Sequence, residues 1–271
     1  MNTFDYNTSD YKFYKYPRTN HLQGSGFQKG DEDLESVPFE QIKGQYLVIE
    51  EKLDGANSGI SFDDEGNLLI QSRGHILRGG WREQQFNLLK SWATTYQDMF
   101  FDLLSNRYIM YGEWVFAKHT LFYDALPHYF MEFDIFDKKT EIFLSTRRRH
   151  MLLKDQPIIS VPVLKTGCFE RLEDITSLIG DSLYKTDELE NSFVDVVKKT
   201  GINLEKAKQE TDLSSKMEGL YIKQEDDDQV LDRMKYIRSD FLNTISESGT
   251  HWMDRPIIPN QLANGIDIFK V

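Results

Sequence analysis

The chain has 271 residues, 39% hydrophobic and 28% charged, and carries a net charge of −12 at pH 7. That is ordinary for a soluble globular protein with room for a sizeable core. The acidic balance argues against a protein coated in nucleic acid, because non-specific binders of the phosphate backbone are basic overall. The single cysteine, Cys168, excludes an internal disulfide and points to a reducing, cytoplasmic setting. No apolar run is long enough to cross a bilayer, and Met1 to Tyr6 lack the charged-then-apolar pattern of a leader.

Tyr11 to Thr19 is aromatic and basic, and leads into a loop rich in Gly and charge, Gln23 to Asp33. From Tyr46 to about Ser72 the pattern predicts strand, turn, strand, turn, strand, with Asp63 to Asn67 as a hairpin turn. Phe86, Leu89, Trp92 and Ala93 recur at helical spacing, which predicts a helix over Glu83 to Tyr96. Tyr108 to Val115 and Tyr129 to Phe136 read as core strands. After Thr140 the character changes: Thr146 to Lys154 reads as helix, and Phe169 to Gln209 as three short helices broken near Gly180 and at Gly201. Glu218 to Lys223 returns to strand, an acidic turn follows at Glu225 to Asp228, and Asp232 to Arg238 is the last strand. The tail, with Pro256 and Pro259, is expected to be mostly irregular. The expectation is an α+β fold over residues 1–271 as one domain, with a helical insertion at about 140–216.

Lys52 ends an apolar run and opens Lys52-Leu53-Asp54-Gly55-Ala56-Asn57. Alone it reads as a lysine snorkelling out of a strand end before an ordinary Asp-Gly turn. Burial and neighbouring cations would instead pull it below its free pKa of about 10.4 and make it a nucleophile. Five further segments follow: Ser72-Arg73-Gly74, Tyr111-Gly112-Glu113-Trp114, Phe130 to Asp137, Glu218 to Lys223, and Arg233 to Arg238. Glu113 and Glu218 are carboxylates beside glycines, a pair that suits magnesium, which takes oxygen ligands and keeps several waters. Taken singly, Arg73 reads as a turn-flanking charge, Phe133 as core, and Lys223, Arg233, Lys235 and Arg238 as strand cations.

In this order the six segments resemble the covalent nucleotidyltransferases, the polynucleotide ligases and mRNA capping enzymes, from Lys15-Tyr16-Pro17-Arg18 through Arg238. The resemblance implies the nucleotidyltransferase ligase fold, unrelated to ATP-grasp, with antiparallel sheets flanked by helices and a nucleotide carried on Lys52. It implies that Arg73 contacts the ribose or the 5′-phosphate of the acceptor strand. Glu113 would lie near the ribose and metal, Glu218 at the metal, and Phe133 against the purine. A Lys-x-Lys pair grips the α-phosphate in such ligases. Arg233 with Lys235 and Lys235 with Arg238 are the two registers open here, with Lys235 common to both. Glu50 and Glu51 both stand as readers of the adenine amino group, and Asn57 and Lys223 complete the nucleotide-binding set.

Too few residues follow Arg238 for the closed OB barrel that capping enzymes and most DNA ligases add. RNA ligases of the RNA ligase 2 type lack that domain and share the Lys15-Tyr16 lead-in, and the run Ser145 to His150 is similar to the wider RNA ligase family. The resemblance therefore implies an ATP-dependent RNA ligase using Mg2+ or Mn2+. It would join the 5′-phosphate and 3′-hydroxyl ends of nicked or broken RNA through lysyl-AMP and an adenylated 5′ end. Its expected setting is cytoplasmic, away from membranes, with an RNA-repair partner protein; the repair role rests on family analogy. A GTP-using capping-type transferase stays open as an alternative, and so does a non-catalytic nucleotide- or RNA-end-binding module. The net charge keeps the second of these in view. Arg147-Arg148-Arg149 and the cations near Lys235 are the candidates for a local basic groove. His21, His75 and His119 carry no decoded role, though His119 follows Lys118 near the presumed site.

Overall fold

The computed structural model describes residues 12–27, 30–248 and 255–270. The leader reading and Tyr11 lie outside the described residues, as do Gln28 and Lys29 of the charged loop. Two short strands, β1 (Asn20–Leu22) and β2 (Ser36–Val37), precede the long β3 (Tyr46–Lys52). Leu47 and Ile49 of β3 enter one apolar cluster with Leu220 and Ile222. Alternation along the strand then puts Val48, Glu50 and Lys52 on the other face. β4 (Ala56–Phe62) and β5 (Leu68–Ser72) form the expected hairpin. Asp63 closes its turn by accepting the backbone N–H groups of Glu65 and Asn67.

The predicted helix is α1 (Asn87–Thr95), followed at once by α2 (Gln97–Leu104). Leu89, Trp92 and Ala93 of α1 are buried, and Trp92 packs on Phe130 with ring centroids 5.6 Å apart. β6 (Tyr108–Trp114), β7 (Phe130–Asp137) and β8 (Ile142–Phe143) come next, then α3 (Thr146–Leu152), whose first turn is capped by Ser145. β9 (Val163–Cys168) is a strand inside the stretch read as a helical insertion. The three expected helices follow as α4 (Leu172–Thr176), α5 (Leu189–Thr200) and α6 (Leu204–Gln209). β10 (Gly219–Glu225) and β11 (Val230–Ile237) are the last strands. The irregular tail is corrected in part, because α7 (Ser239–Ser248) continues from β11 and buries Phe241 in the core.

Among the described residues the strands make a six-stranded sheet, ordered β2-β1-β11-β10-β3-β9, and a five-stranded sheet, ordered β5-β4-β6-β7-β8. Both are built of antiparallel pairs, save that β1 runs parallel to β11 and to β2. β3 and β4 are neighbours in sequence but belong to different sheets, so Leu53-Asp54-Gly55 is a bridge between the two. The result is the expected α+β class, antiparallel-rich sheets flanked by helices. No helix among the described residues is long and apolar enough to cross a membrane.

Candidate active site

Lys52 ends β3 and Gly219 starts β10, and the two residues pair across the sheet. Glu218 therefore arrives beside the lysine, and Lys52 Nζ donates to its Oε2 at 2.8 Å. The glycine permits this approach: a Cβ at Gly219 would lie 1.9 Å from the Tyr236 carbonyl oxygen on β11. On the other sheet Asn57 pairs with Glu113, and Glu113 Oε1 accepts the backbone N–H of Gly55 at 3.1 Å. Asp54 pins the bridge by accepting the N–H groups of Thr120 and Leu121 at 2.7 and 2.6 Å. Lys52, Asp54, Glu113 and Glu218 thus line one cavity of about 1700 Å³.

Burial lowers the Lys52 pKa, but the charges of Glu218 and Glu113 outweigh it and hold the ammonium above its ordinary value. The expectation of a lysine set among cations is corrected: acids surround it. Burial pushes Glu113 and Glu218 each up to about 7, against the pull of the Lys52 charge. The site is short of positive charge. Among the described residues no group of three or more His, Cys, Asp or Glu side chains converges into a metal cage. Two crowded, proton-hungry carboxylates still suit magnesium or manganese, whose shell waters and substrate phosphates can complete. A divalent cation there would take the place of the protons.

Phe133 of β7 is buried on the cavity wall, edge-on to Tyr16 at 5.3 Å between ring centroids. Asn57 lines the same cavity, with its buried Oδ1 lacking a hydrogen-bond partner. Arg73 stands exposed at the rim, and its charge acts on Glu113. Lys235 reaches the wall from β11, and its Nζ donates to Asp31 Oδ2 at 2.8 Å. Asp31 Oδ2 also lies 2.9 Å from His21 Nε2. Burial raises the Asp31 pKa, but the hydrogen bonds from His21 and Lys235 win and hold it well below the usual carboxylate range. Asp31 and His21 were missed from sequence. The one available signal was a charged, glycine-rich loop.

A family model described as RNA ligase matches residues 45–237, more than half of the chain and every element from β3 to β11. The chain belongs to the RNA ligase family. Among solved structures it is similar to a mutant of Naegleria gruberi RNA ligase in apo form, with 21% identity and a TM-score of 0.51, over 77% of this chain and 54% of that one. A second mutant of Naegleria gruberi RNA ligase, with ATP and Mn, gives 20% identity and a TM-score of 0.50 over the same shares, 77% and 54%. At such identity the likeness is one of fold, and the chain spans about half the length of those structures. No curated protein matches it.

The chain does not bring every expected cation to its cavity. Lys223 is fully buried, with Nζ 2.9 Å from Glu50 and 3.2 Å from Asp134, and it donates to the Phe133 carbonyl. Arg149 of α3 ties Glu50 at 2.6 Å to Glu132 at 3.0 Å. Arg233 lies 3.4 Å from Asp134 and over the Phe143 ring at 4.1 Å. In this layer Glu50, Glu132 and Asp134 are matched by Lys223, Arg149 and Arg233, as burial requires, since an unpaired buried charge costs several kcal/mol. Arg238 follows the end of β11 and pairs with Asp212 and Asp240. The Lys235–Arg238 register is therefore not assembled at the cavity. Arg233 shares a strand face with Lys235 but is committed to Asp134.

Of the basic groove read at Arg147-Arg148-Arg149, one member is corrected. Arg149 is buried, and the other two donate to the carbonyls of Asp227 and Asp228. Glu51 lines the cavity, yet its carboxylate accepts from Ser182 Oγ at 2.5 Å and from the Leu183 N–H at 3.5 Å. It clamps the segment after α4 to β3. Glu50 also lines the cavity, but its carboxylate is taken by Arg149 and Lys223.

Proposed function

We propose that the chain is an ATP-dependent RNA ligase that joins a 5′-phosphate to a 3′-hydroxyl through lysyl-AMP on Lys52 and an adenylated 5′ end. The observation that carries this reading is Lys52 Nζ, held 2.8 Å from Glu218 on a cavity that Glu113 and Phe133 also line. The family match supports ligase chemistry, and a related Naegleria structure was solved with ATP and Mn.

In the first step Lys52 gives up a proton and its lone pair attacks the α-phosphorus of ATP. The N–P bond forms, the bond to the bridging oxygen breaks, and pyrophosphate leaves. Glu218, which accepts from Lys52 Nζ at 2.8 Å, is the nearest acceptor for the proton. Phe133 gives the adenine a ring to stack on, Asn57 and Glu113 meet the ribose, Glu51 borders the base, and Arg73 and Lys235 bring positive charge to the phosphates. Glu113 and Glu218 would hold Mg2+ or Mn2+, which when bound would neutralise phosphate charge and weaken the hold of those acids on the Lys52 proton. In the second step a 5′-phosphate oxygen of the RNA attacks the same phosphorus, the N–P bond breaks, and Lys52 is released. In the third, a 3′-hydroxyl attacks the 5′-phosphorus, the phosphodiester forms, and AMP leaves. Nicked or broken RNA as substrate, repair in the cytoplasm, a repair partner protein, and a single domain with its insertion belong to the same proposal.

With α-labelled ATP the wild-type chain is expected to become covalently labelled. Lys52→Ala should give no label while its circular dichroism stays that of the wild type. Persistent labelling of that variant would remove Lys52 from its role. Preferential labelling by GTP would move the reading to a capping-type transferase.

A further inference from the structure

We propose that Asp31 is a positioning residue for Lys235: backed by His21, it fixes the Lys235 ammonium on the cavity wall in advance of the nucleotide whose phosphates that ammonium grips. It rests on the RNA ligase reading above. The Asp31 and Lys235 side chains are each 14% exposed and line the same cavity, so the pair is shielded from bulk water but still reached from the site. Lys235 Nζ donates to Asp31 Oδ2 at 2.8 Å. An ammonium has three N–H donors, so this bond leaves others for phosphate oxygens.

The seat of Asp31 is built from both sides. His21 of β1 is the register partner of Lys235 on β11, is fully buried, and places Nε2 2.9 Å from the same Asp31 oxygen. His21 Nδ1 lies 2.8 Å from Ser25 Oγ, and that oxygen accepts the backbone N–H of Ile237, two positions past Lys235. The path therefore leaves β11 at its backbone, runs through Ser25, His21 and Asp31, and returns to β11 at Lys235 Nζ. Phe27 stacks on the imidazole with centroids 4.0 Å apart, and Arg18 approaches the other oxygen of Asp31 at 3.4 Å. A lysine held in this way loses less side-chain freedom when it grips a ligand. Charge works in the same direction. Burial draws the Lys235 pKa below its ordinary value, the Asp31 hydrogen bond opposes that, and the nearby charge of Lys52 adds to the lowering. Glu218 also supports the Lys235 charge, but its carboxylate is bonded to Lys52. Asp31 is itself an anion on a wall that receives phosphates. Removing an acid that only repelled them would tighten nucleotide binding, whereas removing one that positions Lys235 weakens it.

Asp31→Ala, Asp31→Glu, Lys235→Ala and the Asp31→Ala/Lys235→Ala double variant test this in the full chain, through lysyl-AMP formation from α-labelled ATP without RNA. Asp31→Ala should raise the half-saturating ATP concentration at least fivefold, with the rate at saturating ATP within threefold of wild type. Asp31→Glu should recover most of the loss. In the Lys235→Ala background Asp31→Ala should raise that concentration no further, because the residue it serves is gone. A half-saturating concentration within twofold of wild type, or below it, overturns the positioning role. So does an equal rise in both backgrounds, or a wild-type value for Lys235→Ala. A fall in the saturated rate matching the rise in half-saturating ATP marks a merely structural role and overturns it too. If Asp31→Ala loses the circular dichroism of the wild type, Asp31→Asn takes its place, keeping the shape and losing the charge: a rise of at least threefold sustains the role, and no rise overturns it. If the wild type forms no lysyl-AMP, the ligase reading fails separately. Calorimetric titration with ATP then decides: binding at least fivefold weaker in Asp31→Ala than in wild type sustains the role, and equal or tighter binding overturns it.

Discussion

Arg149 is a buried cation among acids and Lys52 a half-buried one, and the difference between them separates scaffold from the proposed chemistry. Arg149 is enclosed, with Glu50 and Glu132 at 2.6 and 3.0 Å and no exposed surface. Lys52 keeps 22% of its side chain open to the cavity. Replacing Arg149 with Met leaves Glu132 buried without its cation and Glu50 with Lys223 alone. A loss of about 3–5 kcal/mol is expected, read from urea denaturation; a loss below about 1 kcal/mol would mean that the layer adapts by taking up protons. Lys52, Glu113, Phe133, Glu218 and Lys235 were legible in sequence because each sits in a short local pattern. Asp31 was not, since its partner Lys235 lies 204 positions away and nothing in either segment announces the other. The same holds for Arg149, whose run of three arginines reads as surface until Glu50 is brought to it.

At the scale of elements, the long strands and α1 were readable from periodicity, and the errors share a cause. β9 has little alternation after Val163-Leu164, and its strand character comes from pairing with β3. Pro256 and Pro259, which lie beyond α7, make the tail read as irregular and conceal the helix, whose apolar pair is Phe241 and Leu242. The pairing of β3 with β10 and of β10 with β11 is the element contact on which the site depends. Gly219→Ala would push a methyl into the Tyr236 backbone, which cannot rotate away as a side chain could. The expected result is a loss of about 2 kcal/mol or more of stability, in the range for forced backbone shifts, together with a fall in lysyl-AMP formation as Glu218 moves from Lys52. Wild-type labelling in a folded Gly219→Ala variant would show that the acid needs no such close seat.

On the scale of the whole molecule, a net charge of −12 and the proposed RNA substrate are compatible because charge is placed rather than summed: Lys52, Arg73 and Lys235 line the cavity. Buried titrating groups shape the stability profile in opposing directions. Burial pushes His128 down to about 4, below its unfolded value, so its stabilising contribution is full above about pH 6.5 and lost as pH falls toward 4. Glu113 and Glu218, raised to about 7, act the other way, their contribution fading as pH rises through 7. A comparison isolates the histidine. His128→Asn can still accept the Phe130 N–H, and between pH 7 and pH 4 it should gain on the wild type by about 2–3 kcal/mol in denaturation; a constant difference would exclude this titration. The parallel pairing of β1 with β11 has a consequence in time. Tyr16 and Tyr221 bond across 205 positions, so the sheet that completes the cavity cannot close until the chain through β11 has left the ribosome. Lys52 is synthesised well before the β10 and β11 residues that surround it, and until they emerge it is an ordinary lysine.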